Sequence, residues 1–288
     1  MQFLTNGGKH MLKKVAAIND LSGIGKCSLT VAIPILSALK TQCCPYPTAI
    51  LSSQTGYPKF TYLDFTSYMQ EYNRAWKELD VSFDTIYSGF LGSIDQIDIV
   101  RDFIKSNDNA YVIVDPVMGD GGDYYQTFND EICNKIKDLV KVSDLVTPNL
   151  TEACLLTNNK YHTNYTLEDT LKLAKEIANL GPKKVIITGI LIDDNIINLG
   201  YDKESDESFS YSLKYNNKSY SGTGDIFTSI ISGLITNGYD FKESIKIASD
   251  FIFKCISYTG KYDTDPNDGV FFEIFLNDLT SIDKISNF

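Results

Sequence analysis

The 288-residue chain contains little of what several functional classes require. It has one tryptophan and two histidines, and its six cysteines are scattered, without a Cys-x-x-Cys pair or a Cys/His set at metal-binding spacing. No stretch approaches the roughly 20 apolar residues of a membrane span. These absences argue against a metal site built from cysteine and histidine, a disulfide framework and a membrane partner. Reduced thiols in the cytoplasm are the expected state, and the adjacent Cys43 and Cys44 are expected to be a buried or turn-edge pair.

Positive charge is also scarce. The chain has 26 lysines and arginines against 37 aspartates and glutamates, a net charge of −11, and no basic block. A nucleic-acid surface needs clustered basic side chains to replace counterions, so nucleic acid is excluded as a partner. A small anion remains possible as a ligand, because backbone N–H groups and a single cation can bind it locally.

The length and the continuity of the pattern predict one domain. The composition is 43% hydrophobic and 22% charged, which is ordinary for a globular α/β chain of this size. The first ten residues are polar and lack the apolar core of a signal peptide. We expect residues 1–10 to be a disordered leader or a cloning remnant, and residues 11–288 to form a single domain, since no linker or internal repeat interrupts them.

Short apolar runs alternate with helical patterns along the chain. Such alternation predicts an α/β fold with three layers, in which a mostly parallel central sheet is covered by helices on both faces. The predicted strands are 14–19, 48–52, 84–88, 111–114, 144–146 and 184–188, with two or three antiparallel strands within 195–220. The predicted helices are 26–40, 65–79, 94–106, 130–141, 167–180 and 241–258, with further helices opening near 147–152 and after 225.

Loops rich in glycine or aspartate follow the predicted strands, where ligands of parallel sheets bind. The segment Ser221-Gly-Thr-Gly-Asp225 precedes an apolar helical pattern. Its glycines allow a tight turn, and the N–H groups of a helix N-terminus suit a phosphate. Asp225 is then either a helix cap or a base beside an anion cradle, and local sequence leaves both readings open.

The loop Gly23-Ile-Gly25-Lys26 does not match two familiar phosphate-binding motifs. A P-loop would need glycine where this chain has Asp20 and serine or threonine where it has Cys27. A dinucleotide fingerprint would need glycine at Ser28. The loop is therefore either a simple turn or a lid or floor for a small substrate, with Asp20 at the strand end.

Two further loops carry carboxylates. Asp115-Pro-Val-Met-Gly-Asp120 ends a buried strand with negative charge that could serve hydrated Mg²⁺. Thr147-Pro-Asn-Leu-Thr-Glu152 has the spacing of a capping box between Asn149 and Glu152, and the same side chains could touch the water shell of a metal. A phosphate cradle, Mg²⁺ among carboxylates and a base together suit phosphoryl transfer, with Asp225 as the base.

These blocks, in this order, resemble the ribokinase-like superfamily and, within it, the pyridoxal kinase and hydroxymethylpyrimidine kinase branch. The resemblance runs from about Val15 to Tyr258 and rests on the blocks that begin at Asp20, Asp115, Thr147 and Gly222. Its implied anion hole is Gly222, Thr223 and Gly224, with Asp225 as the base that deprotonates a substrate hydroxymethyl group. Its implied nucleotide residues are Asp115, Tyr124, Thr147, Asn149 and Thr188, with Asp115 and Glu152 at the metal. Its implied acceptor residues are Asp20, Ser22, Thr55 and Phe90.

The blocks differ in which acceptor they favour. Asp20-Leu-Ser-Gly-Ile-Gly25 is closer to hydroxymethylpyrimidine kinases, whereas Ser53-Gln-Thr-Gly-Tyr57 is closer to pyridoxal kinases. Phe90 lies where pyridoxal kinases often carry a tyrosine that stacks on the substrate ring, and phenylalanine can also stack. Asp225 excludes the variant chemistry of family members that carry cysteine there.

The resemblance implies an ATP- and Mg²⁺-dependent kinase of pyridoxal, pyridoxine or pyridoxamine, acting in the cytoplasm as a homodimer. Use of K⁺ stays open. The alternative enzyme is a hydroxymethylpyrimidine kinase of thiamine synthesis. An alternative of another class is a ligand-binding sensor on the same scaffold without turnover.

Overall fold

The computed structural model describes residues 12–126 and 128–282, so the predicted leader lies outside the described residues. The strands are β1 (Lys14–Ser22), β2 (Gln42–Leu51), β3 (Tyr62–Asp64), β4 (Thr85–Ser88), β5 (Tyr111–Val114), β6 (Gly119–Asp120), β7 (Asp123–Tyr124), β8 (Leu145–Val146), β9 (Lys184–Ile192), β10 (Asn195–Asp202) and β11 (Glu207–Lys214). The α-helices are α1 (Ser28–Ala38), α2 (Thr66–Glu78), α3 (Ile94–Lys105), α4 (Asp130–Val140), α5 (Leu150–Thr157), α6 (Leu167–Ala178), α7 (Thr223–Thr236), α8 (Phe241–Thr259) and α9 (Leu276–Thr280).

Nine of the described strands form one sheet in the order β11-β10-β9-β8-β5-β4-β1-β2-β3. The six from β9 to β2 in that order are parallel neighbours, and β3, β10 and β11 add antiparallel edges. The predicted mostly parallel sheet is confirmed, as are the antiparallel strands predicted within 195–220. Strands β6 and β7 form a separate small hairpin.

Helices cover both faces of the sheet. Helix α7 packs on α1 and on α8, and the three helices contribute to one apolar cluster that includes Ile35, Ile230 and Phe251. A second, larger cluster joins the other face to the helices from α2 to α6. The continuous apolar strands explain this arrangement, because a strand buried on both sides has no polar face to offer water. The three-layer prediction is confirmed.

Strand β2 begins six residues before the predicted start at Thr48 and contains Pro45 and Pro47. Proline lacks the N–H that a central strand donates and is tolerated where one edge is open. Strand β3 pairs only with residues 49–51 of β2, so the proline-bearing half has just one strand partner, β1. Helix α1 likewise continues through Pro34.

The six cysteines all lie in the described ranges and are free thiols, as expected. Cys43 and Cys44 are half-buried on β2. None of the helices in the described part of the chain has the length and apolar character that crossing a membrane would require.

Candidate active site

The cradle predicted at Ser221–Asp225 is built on the start of α7. Gly222 is the N-cap of the helix and has φ +78°, a left-handed conformation that favours glycine. A Cβ at Gly222 would overlap the carbonyl oxygen of Lys26, so the turn also needs glycine for close packing. A Cβ at Gly224 would meet nothing within 4 Å. The first turn of α7 therefore exposes its N–H groups to an open space that suits an anion.

That open space belongs to a crevice of about 800 Å³. Gly222, Thr223 and Gly224 line it on one side, and Asn149 and Thr188 line it on another. Its remaining walls include a set of apolar side chains suited to a flat ring, among them Leu213, Phe227, Ile252, Phe253 and Ile256. A nucleoside triphosphate requires such a crevice, with N–H donors for its phosphates and apolar side chains for its base.

Asp225 is partly buried beside the cradle and is held by two N–H donors. The side-chain Nδ2 of Asn19 donates to its Oδ1 at 3.2 Å, and the backbone N–H of Ser28 also donates to this carboxylate. Burial raises the pKa of Asp225 to about 6, and the charge of Asp20 adds to the rise. A carboxylate with that pKa is ionised at neutral pH and still basic enough to accept a proton in a reaction.

Asp20 and Ser22 lie at the end of β1, next to the start of α1. Asp20 is buried and accepts hydrogen bonds from the hydroxyls of Ser22 at 2.7 Å and Ser28 at 2.5 Å. Ser28 has φ +53°, which is uncommon for a residue other than glycine and is a conformation found at functional sites. In this conformation the hydroxyl of Ser28 donates to Asp20 and its backbone N–H donates to Asp225. Sequence reasoning missed Ser28 as a site residue, because only its backbone geometry identifies it.

The capping box predicted at Asn149 and Glu152 is present at the start of α5. Asn149 Oδ1 accepts from the N–H of Glu152 at 2.9 Å, and Glu152 Oε2 accepts from the N–H of Asn149 at 2.9 Å. The other oxygen of Glu152 accepts from the N–H of Met118 at 3.0 Å. Glu152 therefore ties the loop after β5 to α5, in addition to any role at a metal.

Asp115 and Thr147 meet at the side chain of Thr228, on α7. The Thr228 hydroxyl donates to Asp115 Oδ2 at 3.3 Å and lies 2.9 Å from the hydroxyl of Thr147. These three buried side chains bring the loops after β5 and β8 to the helix that carries Asp225. Asp115 and Thr147, predicted from separate loops, thus share one buried cluster with Thr228.

The donor set fits Mg²⁺. Burial and the charge of Asp225 raise the pKa of Asp115, while burial and the charge of Asp115 raise the pKa of Glu152. A nearby cation would offset the repulsion among these carboxylates. One or two carboxylates, with the remaining ligands supplied by phosphate and water, are typical of Mg²⁺. Among the described residues there is no group of three or more His, Cys, Asp or Glu that would hold a metal without such help.

Thr188 and Tyr124, the two remaining residues predicted to lie near the nucleotide, lie in different places. Thr188 lines the crevice, and its N–H donates to the carbonyl of Pro148 at 2.9 Å. Tyr124 lies on the small hairpin, where its hydroxyl donates to Asp130 Oδ1 at 2.6 Å and borders a smaller cavity. The next residue, Tyr125, lines the crevice. A role for Tyr124 over the phosphates stays a prediction.

The acceptor-side residues do not line the 800 Å³ crevice. The N–H of Phe90 donates to Asn19 Oδ1 at 2.9 Å, so Phe90 and Asp225 share the Asn19 side chain. Thr55 is half-buried in the loop after β2, and Gln54 in this loop donates to Asn267 Oδ1 at 3.1 Å. Asp225 is thus linked to the acceptor side and lies at the edge of the cradle.

Comparison with known proteins gives consistent findings. The family model described as phosphomethylpyrimidine kinase matches residues 35–269. The hydroxymethylpyrimidine/phosphomethylpyrimidine kinase of Aquifex aeolicus is 30% identical over 175 residues, covering 60% of this chain and 67% of that protein. The pyridoxine kinase of Bacillus subtilis is 27% identical over 178 residues, covering 61% and 65%. The matched region therefore spans about two thirds of the length of these relatives.

Solved structures match over nearly the whole chain. A Bacteroides thetaiotaomicron protein assigned as a phosphomethylpyrimidine kinase is 38% identical, with a TM-score of 0.92 and coverage of 94% of this chain and 95% of that one. A second crystal form of it, obtained with pyridoxal, gives 39% identity, a TM-score of 0.90 and coverage of 93% and 96%. Pyridoxal kinase from Lactobacillus plantarum gives 25% identity, a TM-score of 0.88 and coverage of 96% and 100%.

Proposed function

Because the chain belongs to the phosphomethylpyrimidine kinase family, we propose that it transfers the γ-phosphoryl group of ATP to the 5′-hydroxymethyl group of pyridoxal, pyridoxine or pyridoxamine. It is a kinase, and its relatives include both pyridoxal kinases and hydroxymethylpyrimidine kinases. The observation that carries the proposal is the position of Asp225, a carboxylate with a pKa of about 6 on the helix turn that forms the anion cradle.

A vitamin B6 acceptor is supported by the neighbour that was crystallised with pyridoxal. That protein is 39% identical to this chain over 93% of its length. In the present chain, Phe90 offers a ring for stacking, and its backbone is joined through Asn19 to Asp225. The half-buried Thr55 offers a hydroxyl for a ring substituent.

The residues of the chain have distinct tasks in the proposed reaction. Asp225 accepts the proton of the acceptor hydroxyl while that oxygen bonds to the γ-phosphorus and the bond to the leaving ADP oxygen breaks. The N–H groups at Gly222 to Gly224 stabilise the negative charge on the transferring group. Asp115 and Glu152 would hold Mg²⁺, which neutralises phosphate charge when bound.

The test compares Asp225→Asn with Asp240→Asn. Asp240 is a helix N-cap on α8, where asparagine also caps well, so it controls for the loss of a helix-terminal carboxylate. Losing the base is expected to lower kcat by about 10²- to 10⁴-fold while ATP affinity, measured by calorimetry, changes little. Asp240→Asn is expected to keep wild-type turnover. Near-normal turnover of Asp225→Asn would remove Asp225 from the role of base.

The second candidate is a hydroxymethylpyrimidine kinase. It is favoured by the Asp20-Leu-Ser-Gly23 loop and by the 30% identical Aquifex aeolicus relative. ADP production with each vitamer and with hydroxymethylpyrimidine, compared as kcat/KM, separates the two acceptors. If no vitamer supports ADP production, the proposed vitamin B6 kinase activity is refuted. Binding of ATP and a vitamer without product formation would indicate a ligand-binding sensor.

The same resemblance supports three further proposals. The enzyme acts in the cytoplasm, it forms a homodimer, and it needs Mg²⁺. Sedimentation equilibrium of the purified protein tests the dimer, and loss of turnover with EDTA followed by recovery with MgCl₂ tests the metal. Assays with and without KCl at constant ionic strength test K⁺.

A further inference from the structure

Asn19 is a fully buried amide at the point where the base and the acceptor side meet. Its Oδ1 accepts from the backbone N–H of Phe90 at 2.9 Å and from the backbone N–H of Asp20 at 3.0 Å. Two N–H donors at one end of an amide require the oxygen there, which fixes the orientation of the group. Its Nδ2 must then face Asp225, and it donates to Asp225 Oδ1 at 3.2 Å.

The surroundings of Asn19 are closely packed. A Cβ at Gly89 would overlap Asn19 Nδ2, so a glycine at the end of β4 is what allows the amide to lie there. The backbone at Gly89 is itself held, because its N–H donates to the carbonyl of Ile18 at 2.8 Å. The amide therefore lies between β1 and the end of β4, and its Nδ2 faces the carboxylate of Asp225.

We propose that Asn19 is a positioning residue for phosphoryl transfer, which holds the Asp225 carboxylate in register with the Phe90 and Asp20 backbone of the acceptor side. The inference rests on the proposed function, since it takes Asp225 as the base. An NH₂ group donates and cannot accept, so Asn19 holds the carboxylate in the form and orientation that can take a proton. Misplacement of a reacting group by about 1 Å can cost about 100-fold in rate, which sets the scale of the effect.

The decisive variant is Asn19→Asp. It keeps an oxygen for the N–H groups of Phe90 and Asp20 and replaces the donor that faces Asp225 with a carboxylate oxygen, which repels Asp225. Loss of one hydrogen bond to a charged group corresponds to about a 10- to 100-fold decrease in kcat. The KM for ATP is expected to stay within about twofold, because the cradle at Gly222 to Gly224 does not contact Asn19.

Gln96 provides a matched control. It is also a fully buried amide, in the first turn of α3, where its Oε1 accepts from the N–H of Gly92 at 2.8 Å and its Nε2 donates to the carbonyl of Thr48 at 2.9 Å. Gln96→Glu makes the same amide-to-acid change without facing Asp225. We expect it to lower the melting temperature as Asn19→Asp does and to leave kcat near that of the wild type.

A double variant separates positioning from structural support. In the Asp225→Asn background, Asn19→Asp is expected to cause no further loss of kcat, because the carboxylate it positions is gone. If Asn19 had only a structural role, Asn19→Asp would lower kcat in the Asp225→Asn background by the same factor as in the wild type. If Asn19→Asp melts below the assay temperature, Asn19→Ala removes the donor without adding charge and allows the same comparison.

Several results would overturn the inference: a wild-type kcat in Asn19→Asp, an equal loss in Gln96→Glu, or additive losses in the double variant. The assays use whichever acceptor the wild-type enzyme phosphorylates. Failure of the proposed function is seen separately, as near-normal turnover of Asp225→Asn or as no transfer by the wild type.

Discussion

Two glycines of the cradle, two residues apart, should respond to the same substitution in opposite ways. At Gly222, alanine must adopt φ +78° and its Cβ overlaps the Lys26 carbonyl. The left-handed conformation alone costs about 1–2 kcal/mol. Displacing a backbone carbonyl adds a similar cost, so we expect Gly222→Ala to lower the free energy of unfolding by about 2–4 kcal/mol. For a chain of this size, this lowers the melting temperature by roughly 5–10 °C.

Gly224 presents the reverse case. Its φ is not positive, and a Cβ there meets no protein atom within 4 Å. Alanine in a helix is favoured over glycine by about 0.5–1 kcal/mol, so the melting temperature of Gly224→Ala should be unchanged or slightly raised. The added methyl group instead occupies the cradle. We expect kcat/KM for ATP to fall by about 100-fold or more, because the donors can no longer approach the phosphate.

Gly238 separates backbone strain from loss of the cradle. It follows the other end of α7, has φ +81°, and a Cβ there meets nothing within 4 Å. Gly238→Ala should lower the free energy of unfolding by about 1 kcal/mol and leave the turnover rate unchanged. The assays are differential scanning calorimetry and ADP production at saturating acceptor. A fully active Gly224→Ala would refute the placement of the phosphate, and an undiminished melting temperature in Gly222→Ala would refute the packing argument.

Three further predictions concern charge in the site. The folded-state pKa of Asp225, about 6 against a usual 3.8, means that the folded state binds this proton more tightly, so stability is lost as pH rises from about 4 to 6. Asp225→Asn should therefore stabilise the ligand-free enzyme by about 1–3 kcal/mol at pH 8 and not at pH 4; equal effects at both pH values in thermal melts would contradict this. The kcat/KM of the wild type should fall tenfold per pH unit below about pH 6, as the base becomes protonated, and a flat profile to pH 5 would argue against Asp225. Thr228→Val should lower stability by about 1–2 kcal/mol and raise the Mg²⁺ concentration for half-maximal activity several-fold, because Asp115 and Thr147 lose their shared partner; an unchanged Mg²⁺ titration would show that this contact does not affect the metal.

Much of the fold could be predicted because a parallel sheet buried on both faces produces continuous apolar runs. Strand 111–114 matches β5 residue for residue, and the helix predicted at 65–79 differs from α2 by one residue at each end. The loops at Asp20, Asp115 and Thr147 could be assigned to one edge, because parallel strands place their carboxyl ends together. Those predictions depended on local pattern and on topology, which a single sequence carries.

The rest of the site depends on tertiary contacts. Asn19 ends an apolar run, and nothing near it in the sequence indicates that its amide faces Asp225. The left-handed φ of Ser28 accompanies hydrogen bonds to Asp20 on β1 and Asp225 on α7, and serine has no strong intrinsic preference for it. The early part of β2 lies outside the predicted strand 48–52, and it contains Pro45 and Pro47, which a strand tolerates there only because one edge is open.

The hydrogen bond between Asn19 and Asp225 joins residues 206 positions apart. During synthesis, β1 and the acceptor loop emerge long before α7, and the Lys26 turn remains without Gly222 against it until α7 docks. Closing so large a loop is slow relative to forming local helices. The base and the acceptor loop therefore come together only when α7 docks against β1. A chain in which α7 has not docked lacks the carboxylate beside its acceptor loop, so the chemistry depends on this long-range contact.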